Sequence, residues 1–160
     1  MAPDHDPAAD PAPRQVLLVG VEPFGAALAA QAALLGWSAR TTTELDESRA
    51  ALATLGPHDA VIVLEHRHAV ATPVLAAALR GDIGYVGALG SRNMQSARAK
   101  SLRAAGATDD EIAALHCPTG LDLGARTPAE SAVSIMAEVI AVGSGRDAQP
   151  LRSGANRISG

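Results

Sequence analysis

Apolar and polar positions follow one another in two kinds of block along this chain. Residues 15–20 (QVLLVG) form an unbroken aliphatic run ending in glycine, the pattern of a strand buried on both faces. Residues 60–64 (AVIVL) repeat that pattern. Residues 37–43 mix threonines into a β-prone stretch, which predicts a second strand nearer a sheet edge. A fourth strand is predicted over residues 83–86, broken by Gly87 and Gly90. Between these runs the spacing becomes helical. Residues 23–35 start with a proline in the first turn and stop at Gly36, and residues 46–55 close at Gly56-Pro57. Thr72-Pro73 reads as the N-cap and first-turn proline of a helix reaching residue 79. Ser91 caps a helix to about residue 105, with Gly106 at its end. Thr108-Asp109-Asp110-Glu111 and Thr127-Pro128-Ala129-Glu130 are capping boxes for helices to residues 115 and 142. Strands alternating with helices predict a three-layer α/β sandwich around a mainly parallel sheet of four or more strands.

Residues 1–14 and 144–160 carry no period and too little apolar surface to offset ordering, so each is expected as a disordered tail. Residues 15–143 then form one folded domain. Of the 160 residues 48% are hydrophobic but only 2% aromatic, and 35 alanines supply much of the apolar mass. Small aliphatic side chains suit helices lying close on a sheet. They do not supply the aromatic platforms on which many nucleic-acid readers stack bases. A net charge of -4 also lacks a basic footprint for phosphate backbones. No apolar run reaches the roughly 20 residues that span a bilayer, and the acidic, proline-rich start is unlike a secretory leader. The lone cysteine, Cys117, excludes an internal disulfide. These features predict a cytoplasmic protein with neither a nucleic-acid nor a membrane partner.

Four segments carry candidate chemistry. Gly20-Val21-Glu22-Pro23-Phe24-Gly25 is a strand-to-helix turn of the Rossmann-like kind, with Glu22 where a dinucleotide fold has its second glycine. A carboxylate there repels phosphate, and Thr43 followed by Glu44 stands where an acid would bind ribose. The turn is therefore either a nucleotide site or one that has lost it. Gly87-Ala88-Leu89-Gly90-Ser91-Arg92 brings backbone amides, a hydroxyl and a guanidinium to the start of a helix, a setting that suits an anion. His66 and His68 flank Arg67 in a segment expected to be extended, which points both imidazoles the same way toward an acidic ligand or half of a metal site. His116, Cys117 and Asp122 complete such a site only if the fold brings them near. The last segment, residues 116–126, is a glycine-punctuated loop ahead of a strong helix cap.

Three of these stretches, GALGSR (residues 87–92), GLDLGARTPAE (120–130) and SAVSIMAEVIAV (131–142), resemble the XdhC/CoxI family of accessory proteins for molybdenum hydroxylases such as xanthine dehydrogenase. The resemblance covers about residues 15–143 and is to the family's C-terminal Rossmann domain. It implies binding of molybdenum cofactor, protection of it during sulfuration, and delivery to an apo-hydroxylase by a chaperone rather than an enzyme. The cofactor-binding set it implies is Gly20, Gly25, His66, His68, Gly87, Gly90, Ser91, Arg92, Gly120 and Asp122, with no catalytic residue and no metal ligand. Glu22 then leaves the turn ending at Arg92 as the phosphate anchor. The family's cysteine-bearing N-terminal domain is expected to be missing here, and Glu65-His66-Arg67-His68 stands in place of its usual Thr-His-Asp-His. Expected partners are a hydroxylase apoprotein, a separate protein carrying that N-terminal domain, and a second copy of this chain. An NAD(P)-dependent oxidoreductase and a non-catalytic scaffold remain as alternatives.

Overall fold

A computed structural model describes residues 14–21 and 23–153. Glu22 and most of the two expected tails, residues 1–13 and 154–160, lie outside the described residues. Four strands, β1 (Gln15–Val19), β2 (Ser38–Thr42), β3 (Ala60–Val63) and β4 (Tyr85–Ala88), pair in parallel in the order β2-β1-β3-β4. The aliphatic runs of β1 and β3 sit in the middle, where both faces are covered. The threonine-bearing β2 is an edge, as its polarity predicts. Helices α1 (Gly25–Leu34) and α6 (Pro128–Gly143) cover one face through Leu28, Ala32, Ile135, Met136 and Val139. Helices α2 (Leu45–Leu52), α3 (His68–Arg80), α4 (Arg92–Ala104) and α5 (Asp109–Ala113) lie on the other, where Ala51, Val74, Leu75 and Leu102 are buried. The result is the expected three-layer Rossmann-like sandwich. After α6, the described chain has only a short 3-10 turn, Leu151–Ser153. No described helix is long and apolar enough to cross a membrane.

The chain leaves β1 toward β2, then crosses back to β3 on the other side. Strand order therefore reverses at β1, which puts the topological switch point outside the carboxyl ends of β1 and β3. Beyond β4 the sheet gains a short extra rung. The Ala88 N–H donates to the His116 carbonyl, the His116 N–H to the Val86 carbonyl and the Thr119 N–H to the Ala88 carbonyl, each at 3.0 Å.

Two elements depart from the sequence expectation. α3 begins at His68 rather than beyond Thr72, so Pro73 lies inside the helix and Thr72 is no cap. A proline there forgoes one helical hydrogen bond, but Val70, Ala71, Val74 and Leu75 are buried around it and hold the helix to the sheet. β4 starts two residues later than expected and includes Gly87. At that position a side chain would collide with the Tyr85 ring and with Thr119, both 2.6 Å from where a Cβ would stand. Glycine is in the strand to admit neighbours, not to end it. By contrast, both capping boxes form as read, Thr108 with Glu111 and Thr127 with Glu130.

Candidate functional site

The carboxyl edge of the sheet gathers most of the residues singled out by sequence, but it uses them unequally. Gly20 ends β1 with φ +103°, and a Cβ there would lie 2.8 Å from the Glu65 amide nitrogen. Only glycine lets the first turn pack so closely on the exit of β3. The Gly20 N–H donates to the Thr42 carbonyl at 2.8 Å and the Gly25 N–H to the Val21 carbonyl at 2.7 Å. Both amides are thus turned inward and satisfied by the chain itself.

A second part of the edge is occupied by a bridge that the sequence did not reveal. The Glu65 carboxylate accepts the backbone N–H groups of His66 (2.9 Å) and Arg67 (2.8 Å). It thereby fills the positive end of α3, whose N-cap residue, Arg67, offers no side-chain cap. Arg67 Nη2 donates to the other Glu65 oxygen at 3.0 Å and to the Thr43 carbonyl at 2.7 Å, and stands 3.7 Å from Glu44. Because β2 and β3 flank β1, this guanidinium crosses above the end of β1. The hydrogen bond from Arg67 is the main reason that the Glu65 carboxyl is held below the usual range. His66 and His68 are exposed, and His68 belongs to the first turn of α3. The extended pair expected from the sequence is not formed, because the helix starts between the two imidazoles. Among the described residues no three His, Cys, Asp or Glu side chains gather as a metal site.

The third part is open. Ser91 caps α4, its Oγ accepting the Met94 N–H at 3.3 Å. The N–H groups of Arg92 and Asn93 have no acceptor among the described residues, and both residues are exposed. Gly90 lies against Cys117, whose Sγ is 3.4 Å from the place a Cβ on Gly90 would take. Burial pushes the Cys117 thiol upward, and Arg98 on α4 opposes that shift. Gly87 does not share this opening, since it is buried inside β4.

A compact polar cluster stands on the α6 side of β4, away from that opening. Its hub is Glu138, absent from the sequence reading. One carboxylate oxygen accepts the Tyr85 hydroxyl at 2.5 Å and the Gly120 N–H at 2.7 Å, while the other meets His116 Nδ1 at 3.1 Å. Thr119 Oγ1 is also 2.5 Å from the Tyr85 hydroxyl, and the His116 ring stacks on Tyr85 at 4.6 Å. Burial first, and Glu138 second, push the Tyr85 hydroxyl far above its ordinary value. Gly120, with φ +108°, therefore gives its amide to Glu138 rather than to a ligand, and Asp122 is exposed in the loop beyond. The fold brings Gly20, His66, Gly90, Ser91 and Arg92 to one edge. It assigns Gly120 and His116 to a different cluster.

The model of the XdhC Rossmann domain matches residues 16–139. Over 60 residues the sequence is 40% identical to the uncharacterised protein YqeB of Escherichia coli (strain K12), covering 38% of this chain and 11% of that protein. A crystal structure described as a xanthine dehydrogenase from Bacillus halodurans is similar with a TM-score of 0.66 and 21% identity, over 89% of this chain and 45% of that one. This chain thus spans less than half the length of either, and at such identity the structural likeness speaks for the fold. The family match runs from the second residue of β1 to the buried Val139 of α6, and the chain belongs to the XdhC family through its Rossmann domain.

Proposed function

We propose that this domain binds the phosphate-bearing end of molybdenum cofactor and hands the cofactor to an apo-hydroxylase of the xanthine dehydrogenase type, without turning it over. The observation that carries the reading is the unequal state of the helix starts at the carboxyl edge. The N–H of Gly25, the first residue of α1, is used by Val21, and the amides leading into α3 are taken by Glu65. First-turn amides of all three helices lack an acceptor among the described residues, but α4 alone sets them beside a capping hydroxyl together with an exposed arginine, Ser91 and Arg92. Phosphate is the ligand such a terminus favours. The donor set therefore fits the anionic end of the cofactor, with Gly90 allowing close backbone approach. The bound group would supply the molybdenum chemistry of the recipient hydroxylase, while this chain would hold its phosphate. Gly20, His66 and His68 follow the carboxyl ends of β1 and β3 and would border the pterin, and Gly25 would keep the first turn in place.

A nicotinamide dinucleotide is a poorer fit. Arg67 lies on the Thr43 carbonyl, where the ribose of such a cofactor would rest, and Glu65 and Glu44 add negative charge beside the pyrophosphate path. The expected setting is the cytoplasm, with a hydroxylase apoprotein, a separate protein bearing the cysteine-containing domain and a second copy of this chain as partners. A thermal-shift series with purified molybdopterin, CTP, NADH and NADPH tests the reading. Molybdopterin is expected to raise Tm, and Arg92→Ala to weaken that response. A response to nicotinamides with none to molybdopterin overturns it.

A further inference from the structure

The two faces of the sheet are dressed differently. On one, α2, α3, α4 and α5 each carry charged side chains. On the other, α1 (GAALAAQAAL) carries none. α6 has only Glu130, engaged in its cap, and Glu138, turned inward to Tyr85 and Gly120. Half of the large hydrophobic side chains exposed among the described residues lie on these two helices: Leu34 (82%), Val133 (47%), Ile140 (44%) and Val142.

Helical periodicity sorts them. In α1, Leu28 and Ala32 are buried against the sheet, which turns Ala26, Ala30 and Leu34 outward at steps of four. In α6, Ile135, Met136 and Val139 are buried, which turns Val133, Ala137 and Ile140 outward. α1 packs against α6, so the two stripes adjoin in one uncharged surface. Helices of 10 and 16 residues are about 15 and 24 Å long and lie roughly 9 Å apart, giving a face about 20 Å square. Its ridges raise the accessible area to the order of 600–800 Å², close to the share of one partner in a stable interface and at or above the largest apolar patch usual on a lone domain.

Shape and charge together indicate what covers it. The outward stripe of α1 is alanine up to Leu34, whereas that of α6 carries the bulk of Val133 and Ile140. A two-fold axis along the helices lays α6 of each copy on α1 of the other, bulk against room, and every contact then occurs twice. A face without charge meets its own copy without the like-charge repulsion that most surfaces present to themselves. We infer that the α1–α6 face seats a second copy of this chain in an isologous dimer, with α6 of each protomer lying on α1 of its partner. This gives the second copy proposed above a surface. It does not depend on cofactor binding, because α4 lies on the opposite face of the sheet and stays free in the pair.

Sedimentation equilibrium of the full chain at micromolar concentration is expected to give twice the chain mass. Ile140→Glu and, on the facing helix, Ala30→Glu each place two unpaired carboxylates in the interface. Each should raise the dissociation constant about 100-fold or more. Both positions are exposed in the single chain, so circular dichroism should be unchanged. Leu123→Glu and Leu151→Glu alter exposed leucines elsewhere and should leave the mass as it is. A dimer that survives Ile140→Glu and Ala30→Glu, or one that Leu123→Glu or Leu151→Glu dissociates equally, overturns the inference. So does a wild type of single-chain mass, whose apolar face then belongs to a different protein. Mass and the molybdopterin response are separate readouts, so the dimer and the cofactor proposal stand or fall independently.

Discussion

Replacing Glu138 by alanine removes the hub that joins β4, residues 116–120 and α6, and its cost follows from which donors are stranded. Tyr85 is 2% exposed, so without the carboxylate its hydroxyl must turn from Glu138 to Thr119 Oγ1 alone, and the Gly120 N–H loses its acceptor outright. The His116 side chain is 30% exposed and can exchange its carboxylate for solvent. One part-buried amide left without an acceptor, at about 1–3 kcal/mol, and one buried hydroxyl that loses its charged partner, at about 1 kcal/mol, give an expected loss of roughly 2–4 kcal/mol for Glu138→Ala. That is a large share of the 5–15 kcal/mol typical of a whole domain. Glu138→Gln is the sharper comparison. Its amide oxygen can still accept from Tyr85 and Gly120, and its NH2 group can donate to His116 Nδ1 once the ring carries its proton on the other nitrogen. The expected loss is then about 1 kcal/mol. Urea unfolding followed by circular dichroism reads both, with the slope m unchanged if the unfolded surface is the same. A loss below about 1 kcal/mol in the alanine variant, or glutamine as damaging as alanine, would refute the hub.

Three further outcomes follow from the same geometry. Tyr85 is the chain's single tyrosine, so tyrosinate absorbance reports it alone. Its folded pKa is raised, so its contribution to stability is fully present below the unfolded value of about 10 and is lost as pH rises above it. No tyrosinate is expected before the fold itself opens, and a free titration near pH 10 would contradict this. Gly20→Ala should cost at least about 3 kcal/mol, because it adds a positive-φ penalty to a contact with the Glu65 backbone that neither side can relieve. A urea midpoint close to wild type would dismiss it. Thr127→Ala breaks the capping box at the start of α6 and should cost about 1 kcal/mol, with a loss of helix stability in hydrogen exchange confined to the first turns of α6.

The layers of this fold were readable wherever local physics decides them. β1 and β3 announce themselves as aliphatic runs, and α4, α5 and α6 through their hydroxyl caps. α3 was misplaced because a proline after threonine signals a helix start by local rules. Burial of Val70 and Ala71 in the core on the same face of the sheet overrides that signal. The Glu65–Arg67 bridge depends on β2 and β3 flanking β1, which strand spacing alone does not reveal. Glu138 was invisible for the same reason, since its partners lie 18, 22 and 53 residues away. Two signals pointed toward it: α6 beyond its cap carries no other charge, and a tyrosine opens an otherwise aliphatic strand and needs a partner for its hydroxyl.

The short rung added by residues 116–119 also bears on how the molecule avoids its own kind. A parallel sheet has two margins, and each is a template on which another chain can polymerise. Here the β4 margin is capped by a segment containing Pro118, which has no N–H to offer, and Glu138 fastens that segment down. The β2 margin is a five-residue strand carrying Arg40 among exposed polar side chains. Strand-by-strand growth into fibres is discouraged on both sides, which leaves helical surfaces as the ground for any lasting assembly.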